Sequence, residues 1–446
     1  MLLACGIWFT VKLGGVQLRH FGHMFSLLKG SNTSTKDGIS SFQALCTSLS
    51  ARVGTGNLAG VAVAISLGGA GAIFWMWMIA LLGMATGFAE SVLGQLYKVR
   101  DENGEFRGGP AYYIKQGLNK TWLAVAFSLC LFFGYGFVFS AVQANTITDA
   151  LNNAYSFPTE YVGLAIIALA ALIVVGGLKS IARFAEFVVP FMGIGYVLVA
   201  LAITFINISE LPAMLLDIVK SAFGLQEAGA GALGAAIKNG IQRGLYSNEA
   251  GSGSVPHAVA SAVPNPNHPV SQGYIQMLGV FLDTLVLCTS TAFIILLAGG
   301  SSSDQMEGIR LTQDAMSSHL GEGGTDFVAA AISLFAFTSV VANYAYGESN
   351  LHMFKLDNKI GRAVYTIGYL GMIYWGAQAA LPQVWAMADM ALGLMTVINI
   401  IAIVWMTPTI VSISKDYFKK KDSGANMEYK AGDCEIQGKS EDGIWD

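Results

Sequence analysis

The stretch RVGTGNLAG at residues 52–60 interrupts an apolar segment with glycine and polar residues. A second stretch, RGLYSNEAG at residues 243–251, does the same 191 residues later. Aligned on arginine, both place asparagine five residues on and Ala-Gly at seven and eight. Irregular backbone survives inside a bilayer only where it lines a cavity or is buried in protein. If the flanking segments cross a membrane, the two stretches predict a pair of interrupted helices around one cavity.

The composition of the chain indicates that these segments do cross a membrane. Of its 446 residues, 54% are hydrophobic and 12% are charged, against about 25% charged residues in soluble globular proteins. The five cysteines show neither metal-ligand spacing nor a disulfide framework, and we interpret them as small buried side chains. We expect no cofactor.

Apolar segments fall into two groups of five. The first group lies near 39–67, 72–97, 121–151, 161–177 and 182–207, and the second near 229–263, 270–299, 324–345, 359–376 and 386–408. The apolar residues 1–11 are too short to span and are interpreted as the inner end of a truncated first helix. The predicted organisation is 1–38 (truncated helix and basic loop), 39–207 (first repeat), 208–228 (amphipathic connector), 229–414 (second repeat) and 415–446 (flexible tail).

Basic residues alternate between loops in a way that predicts the orientation. The loops near 12–38, 98–120, 179–183 and 355–362, together with the start of the tail, carry most of the lysine and arginine, while the loops between them carry only Lys220 and Arg310. Cytoplasmic loops are the basic ones in membrane proteins. We therefore expect a multi-pass protein of the cell (inner) membrane with its C-terminus in the cytoplasm.

An odd number of helices in each group means that the second group enters the membrane from the opposite side. The predicted fold is therefore an all-α inverted five-plus-five repeat whose leading helices are broken, a design typical of secondary transporters. A half-helix that begins at a break offers free N–H groups to a carboxylate, and one that ends there offers carbonyl oxygens to a cation. The alternative is that the glycines only let helices pack closely.

Several segments resemble the alanine or glycine:cation symporter family. They are GGAGAIFWMWMIALLG at 68–83, GTGN at 54–57, the stretch 243–254 and FAFTS at 335–339 through Tyr346-Gly-Glu348. The resemblance covers essentially the whole chain except the N-terminal part and the tail. It implies sodium-driven symport of a small neutral amino acid, alanine or glycine, by a protein with the fold of the bacterial leucine transporter and no enzymatic activity.

The same resemblance implies a set of substrate-binding residues. The backbone N–H groups of Thr55, Gly56 and Asn57 would hold the substrate carboxylate. Gln143 in the third core helix would line the site, although an interhelical hydrogen bond explains it equally well. From the alignment of the two motifs, and not from the resemblance, Ser247 and Asn248 are the counterparts in the second interrupted helix and should border the same cavity.

The resemblance also implies a sodium site. The adjacent hydroxyls of Thr338 and Ser339 would bind the ion with the backbone carbonyls of Ser50 and Val53, and Ser339 would also border the substrate. The alternative is that both hydroxyls bond back to carbonyls of their own helix.

One position departs from the family pattern, which often has tryptophan where this chain has Asn343. Asn343 lies four residues after Ser339, on the same helix face. A carboxamide leaves more space than an indole and adds hydrogen-bonding capacity. We therefore extend the expected substrates to a polar side chain such as that of glutamine.

Ionisable residues inside membrane segments are costly and mark functional sites by default. Arg52 or Arg243 is expected to pair with Glu249, and Asp283 to be a structural hydrogen-bonding partner. Glu90 and Glu186 are discounted because they fall near predicted helix ends. The buried carboxylates keep proton coupling open as the main alternative to sodium, and an ion channel is a less favoured one because a single pseudo-symmetric chain lacks a filter ring.

Overall fold

The computed structural model describes residues 1–31, 38–101, 104–225, 230–299 and 307–445, which are mostly helical. Six helices within these ranges are long and apolar enough to cross a membrane: Gly71–Leu96, Thr121–Tyr155, Gly177–Ile206, Pro269–Leu297, Gly323–Leu351 and Leu381–Trp405. This finding supports a polytopic α-helical membrane protein. The inverted five-plus-five repeat remains a prediction.

The helices follow the predicted segments closely. In the first half they are α1 (Leu2–Lys12), α2 (Val16–Arg19), α3 (Phe21–Lys29), α4 (Ser41–Arg52), α5 (Val61–Gly68), α6 (Gly71–Leu96), α7 (Pro110–Gly117), α8 (Thr121–Phe133), α9 (Phe139–Tyr155), α10 (Thr159–Val174), α11 (Gly177–Ile206) and α12 (Leu211–Ala222). In the second half they are α13 (Ala230–Asn248), α14 (Pro256–Ala260), α15 (Pro269–Val280), α16 (Thr289–Leu297), α17 (Ile309–Leu320), α18 (Gly323–Leu351), α19 (Lys359–Gln378), α20 (Leu381–Trp405) and α21 (Thr407–Ser423).

Irregular and extended segments complete the described fold. A π-helical segment precedes α5, a second joins α8 to α9 and a third joins α15 to α16: Gly56–Gly60, Gly134–Val138 and Phe281–Cys288. The short strands are β1 (Ile39–Ser40), β2 (Val99–Arg100), β3 (Phe106–Arg107) and β4 (Ala262–Val263). Strand β1 pairs in parallel with β4, and β2 pairs antiparallel with β3. The first pair ties the start of α4 to the chain that follows α14.

Both predicted interruptions are present, but they do not fall at equivalent places in the two motifs. Helix α4 ends at Arg52, and helical structure resumes at Gly56. Arg243, by contrast, lies inside α13, which continues to Asn248 before the chain becomes irregular. The arginine therefore closes a helix in the first motif and sits within one in the second, so the equivalence implied by the alignment is wrong at the level of the backbone.

Glycine serves a different purpose in each break. In the second, Gly251 and Gly253 have φ of 95° and 82°, values that side chains with a Cβ rarely adopt. In the first, Gly54 and Gly56 keep negative φ, so it is close packing that requires them there. Gly244 in the second motif also packs closely, since a Cβ there would lie 2.5 Å from Cγ2 of Ile79 on α6. Close packing thus explains the glycines of the first break, whereas Gly251 and Gly253 permit the irregular backbone of the second.

Helix α6 forms the centre of the packing, in contact with α13, α15 and the N-terminal α1. The predicted connector contains α12, an amphipathic helix whose buried residues Met214, Ile218 and Ala222 repeat every four positions. Its end docks on α6, because Trp75 Nε1 donates to the carbonyl of Ala222 at 3.1 Å. The connector therefore packs along the body of the protein.

The C-terminal tail differs from the flexible segment that its polar composition predicts. Its first residues continue α21 to Ser423. Beyond that helix, Tyr429 and Trp445 are buried. Trp445 Nε1 donates to the carbonyl of Leu96 at 3.1 Å, and the backbone N–H of Tyr429 donates to the carbonyl of Asn267 at 2.9 Å. Two aromatic anchors in a polar segment account for the difference, since burying a large ring stabilises an otherwise solvated chain.

Candidate functional site

The first break is held against α9 by Gln143. The backbone N–H and the hydroxyl of Thr55 both donate to Gln143 Oε1, at 2.9 and 2.7 Å. A side-chain oxygen of α9 therefore accepts from the N–H of Thr55, one of the three N–H groups that the family resemblance implies for the substrate carboxylate.

Gly54 is the point at which three helices meet. A Cβ at this position would lie 2.3 Å from Ser339 Oγ and 2.7 Å from Gln143 Oε1. A Cβ does not approach another heavy atom this closely, so glycine lets the end of α4 approach α9 and α18 together without displacing the Ser339 and Gln143 side chains.

The two interrupted helices touch each other through Asn57. Its Nδ2 donates to Ser247 Oγ at 3.1 Å and to Asp283 Oδ1 at 2.7 Å. The amide is oriented by its own segment, because the backbone N–H of Gly54 donates to Asn57 Oδ1 at 3.0 Å. Close packing accompanies the contact, as a Cβ on Gly56 would lie 3.1 Å from the Cα of Ser247.

Asp283 completes this contact from a third element, the π-helical segment Phe281–Cys288. Its second oxygen accepts from Ser247 Oγ at 2.6 Å and from Thr284 Oγ1 at 2.8 Å. The hydrogen-bonding role predicted for Asp283 is therefore present, and its partners are the predicted site residues themselves. The feature of the sequence that pointed to Asp283 was its position as a single acid within an apolar segment.

Glu90 is the residue that sequence reasoning underestimated. It is fully buried in α6, and its carboxylate accepts from the backbone N–H of Gly251 at 3.2 Å and from Asn399 Nδ2 at 2.8 Å. Asn399 also donates to the carbonyl of Gly251 at 2.9 Å. Glu90 thus braces the second break, and its proximity to a predicted helix end concealed that role.

Arg243 pairs with a different acid from the predicted one. Arg243 Nη2 donates to Asp389 Oδ2 at 2.5 Å, and its guanidinium lies 4.3 Å from the centre of the Trp385 ring. Glu249 instead accepts from Ser254 Oγ at 2.5 Å, so the Arg243–Glu249 pair is wrong. Arg52 is buried, and its three guanidinium nitrogens have no hydrogen-bond partner among the described residues.

A small cavity lies beside Arg52. It measures about 10 Å³, room for roughly one water molecule, so side chains must move before an amino acid can enter. Its lining consists of Ala51, Arg52, Tyr135, Phe139, Gln143, Tyr246, Glu249, Asn343 and Leu392. The hydroxyl of Tyr246 and the Oδ1 of Asn343 are buried and have no partner among the described residues. Gln143 and Asn343 are thus placed on one cavity, and Asn248 lies outside it with its Oδ1 accepting from the N–H of Ala250 at 3.0 Å.

The four predicted sodium ligands are only partly brought together. Ser339 Oγ lies 3.3 Å from the carbonyl oxygen of Val53. It also lies 3.2 Å from the carbonyl of Phe335, which accepts from Thr338 Oγ1 at 2.8 Å. Both hydroxyls therefore make the back-bonds of the alternative interpretation, and Ser339 additionally reaches the first break. Among the described residues, no group of three His, Cys, Asp or Glu is placed to hold a metal ion.

Comparison with known proteins identifies the family of the chain. The sequence profile of the sodium:alanine symporter family matches residues 1–431. The chain belongs to this family. Membership assigns a transport role in a membrane, in agreement with the long apolar helices.

Individual family members are similar over nearly their whole length. A probable sodium/glutamine symporter of Bacillus subtilis is 47% identical over 95% of this chain and 88% of its own. An amino-acid carrier protein of the same organism is 44% identical over 97% and 91%. A putative sodium/proton-dependent alanine carrier protein, also from Bacillus subtilis, is 41% identical over 95% and 90%.

Proposed function

We propose that this family member imports a small neutral amino acid together with sodium by alternating access. The observation that carries the proposal is the buried contact of Asn57 with Ser247 and Asp283. It joins two interrupted helices from distant parts of the chain at a single interior point, where irregular backbone can serve a ligand. In the proposed architecture, two inverted repeats, 39–207 and 229–414, rock about this point, with the C-terminus in the cytoplasm.

The substrate carboxylate is proposed to bind at Thr55, Gly56 and Asn57. Gln143 Oε1 already accepts two hydrogen bonds from Thr55, as a carboxylate oxygen would. Substrate binding would therefore displace the Gln143 carboxamide, which would turn towards the ligand. This exchange replaces a neutral acceptor with a charged one, and hydrogen bonds to charged groups are the stronger kind.

The sodium ion is proposed to bind between the first break and α18. The Val53 carbonyl and the Ser339 hydroxyl face each other across 3.3 Å, and a hard cation is held by oxygen ligands of this kind. Thr338 and the carbonyl of Ser50 complete the proposed shell once the Thr338 hydroxyl turns away from Phe335. Binding substrate and ion on either side of one break would couple them.

The cavity beside Arg52 favours a substrate with a carboxamide side chain. Arg52 and Tyr246 supply unpartnered donors, and Asn343 Oδ1 supplies an unpartnered acceptor. Buried polar atoms without partners are costly. The carbonyl of a carboxamide can accept from these donors, and its amino group can donate to this acceptor. Alanine leaves these atoms unpaired. We therefore place glutamine among the proposed substrates with alanine and glycine.

Uptake into liposomes by the purified protein tests the function. A sodium gradient and a proton gradient are imposed separately, with alanine, glycine, serine and glutamine as competitors. Accumulation that follows the sodium gradient, and competition that is strongest with glutamine, are expected. Accumulation without a sodium gradient rejects sodium coupling, and uptake that never exceeds equilibrium rejects symport in favour of a channel.

Proton coupling is the second candidate. Three carboxylates, those of Glu90, Glu249 and Asp283, are buried near the breaks, and buried acids in membrane proteins often carry protons. One relative is named as a putative sodium/proton-dependent carrier. Under this alternative, the proton gradient alone would drive accumulation in the same liposomes.

A further inference from the structure

An apolar groove runs along the outside of α19. It measures about 790 Å³, and its walls include Phe132, Phe137, Leu356, Ile360 and Val364. Ile360 is 78% exposed and Val364 65% exposed. In a membrane protein such a surface faces lipid, and a groove in it can take an acyl chain.

A basic pocket lies at one end of this groove. It measures about 700 Å³ and is lined by Arg100, Lys115 and Lys355. Lys115 and Lys355 are exposed and make no ion pair with any described residue. The pocket also holds two acids, and both are engaged. Asp357 lies 2.9 Å from His352 Nδ1, and Glu441 accepts from the backbone N–H of Arg100 at 3.2 Å.

The groove and the pocket adjoin each other. Asn358 lines both. Lys355 lies in the pocket three residues before it, and Lys359 lies in the groove one residue after it. An apolar channel and a cluster of cations therefore meet at one short segment between α18 and α19.

We propose that the groove and the pocket together bind one anionic phospholipid, with an acyl chain in the groove and the phosphate in the pocket. Three exposed lysines form no ion pair with a described residue, Lys115 and Lys355 in the pocket and Lys359 where the groove begins. They outnumber the two acids of the pocket, so the local charge complements an anion. A basic pocket beside a membrane helix is a recognised setting for anionic headgroups. A free anion would need only the pocket, whereas the adjoining groove matches the apolar half of a lipid.

The binding test uses the full chain in detergent with phosphatidylglycerol and phosphatidylcholine of identical acyl chains, and counts retained lipids by native mass spectrometry. Phosphatidylglycerol is expected to be retained in preference. The variant Lys355→Gln/Lys359→Gln is expected to lose affinity by about fivefold for each lysine. Lys415→Gln/Lys419→Gln is the matched control, because both lysines are exposed on α21 away from the pocket. An equal loss in the control, or no preference in the wild type, overturns the proposal.

A second pair of variants tests the groove. Val364→Trp fills it and leaves every lysine in place, so retention of phosphatidylglycerol is expected to fall. Ile367→Trp is the control, since Ile367 is 73% exposed on the same helix but does not line the groove. Glycerol 3-phosphate is then offered as a competitor. Its failure to displace the lipid supports the proposal, and full displacement at equal concentration shows a simple anion site and overturns it.

Discussion

Asn57 and Ser247 lie on different interrupted helices, 190 residues apart in sequence, and their side chains are hydrogen-bonded at 3.1 Å. Asp283 accepts from both of them. Three segments that are remote in the chain therefore share one polar centre in an apolar interior.

Asn57→Ala is expected to reduce uptake strongly. It leaves Asp283 Oδ1 without its Asn57 partner, and a buried group that loses a partner costs about 1–3 kcal/mol, more when it is charged. About 1.4 kcal/mol corresponds to tenfold, so a cost of this size should reduce initial uptake rates in liposomes by about fivefold or more. Asn426→Ala, in the exposed tail, is the control. Effects of Asn57→Ala and Ser247→Ala that simply add in the double variant would show that the contact is not energetically coupled.

Gly54→Ala is expected to abolish transport. The effect should come from packing alone, because alanine readily adopts the backbone conformation of Gly54. Gly54 has a negative φ, but a methyl group there would fall 2.3 Å from Ser339 Oγ. Overpacking a well-packed interior costs about 1–3 kcal/mol or more. Gly393→Ala on α20 is the matched control, because nothing lies within 4 Å of a Cβ at that position. Equal uptake by both variants would contradict the convergence of α4, α9 and α18.

Ser339→Ala is expected to lower the apparent affinity for sodium. Its effect on substrate affinity, measured at saturating sodium, should be smaller. Removing one hydroxyl from a charged partner costs about 1.5–3 kcal/mol, so the half-saturating sodium concentration should rise about tenfold or more. Thr338→Ala should raise it as well. Ser333→Ala is the control, as Ser333 makes a comparable back-bond in α18, to the carbonyl of Ala329. Unchanged sodium dependence in Thr338→Ala removes that residue from the proposed site.

Asn343→Trp is expected to narrow the substrate range towards alanine and glycine. The indole fills the space beside Gln143 and removes the unpartnered Oδ1. A difference of one methylene between two substrates changes an enzyme's discrimination between them by about 10–200-fold. Glutamine exceeds alanine by more than one methylene. Competition assays measure the ratio of glutamine to alanine inhibition. Leu334→Trp, 43% exposed on the same helix, should leave that ratio unchanged.

Trp445→Ala is expected to destabilise the protein as a whole. The ring is buried, donates to the carbonyl of Leu96 and lies 4.9 Å from Lys98 Nζ. Truncating a buried tryptophan costs about 3–5 kcal/mol, which should lower the thermal unfolding midpoint in detergent. Trp122→Ala, where the ring is 70% exposed, should shift it far less. Matching midpoints would mean that the tail contributes little to stability.

Four residues that the family resemblance implies for the site lie together around the first break. Thr55 donates to Gln143, and Ser339 donates to the carbonyl of Val53. Asn248 was placed there by the alignment alone and lies outside the cavity. The alignment pairs residues by motif, whereas the two breaks occur at different points of their motifs, so side chains that correspond in sequence face different surroundings.

The features that can be predicted from the amino-acid sequence are local: an apolar composition with few charges, helical segments of membrane length, and glycine-rich interruptions in two of them. These features depend on how each segment is solvated, and the residues of the segment itself determine that solvation. Three contacts become visible only in the folded chain: Glu90 accepts from the second break, Arg243 pairs with Asp389, and Trp445 anchors the tail. A buried polar group must find a partner, and which partner it finds depends on backbone placement across hundreds of residues.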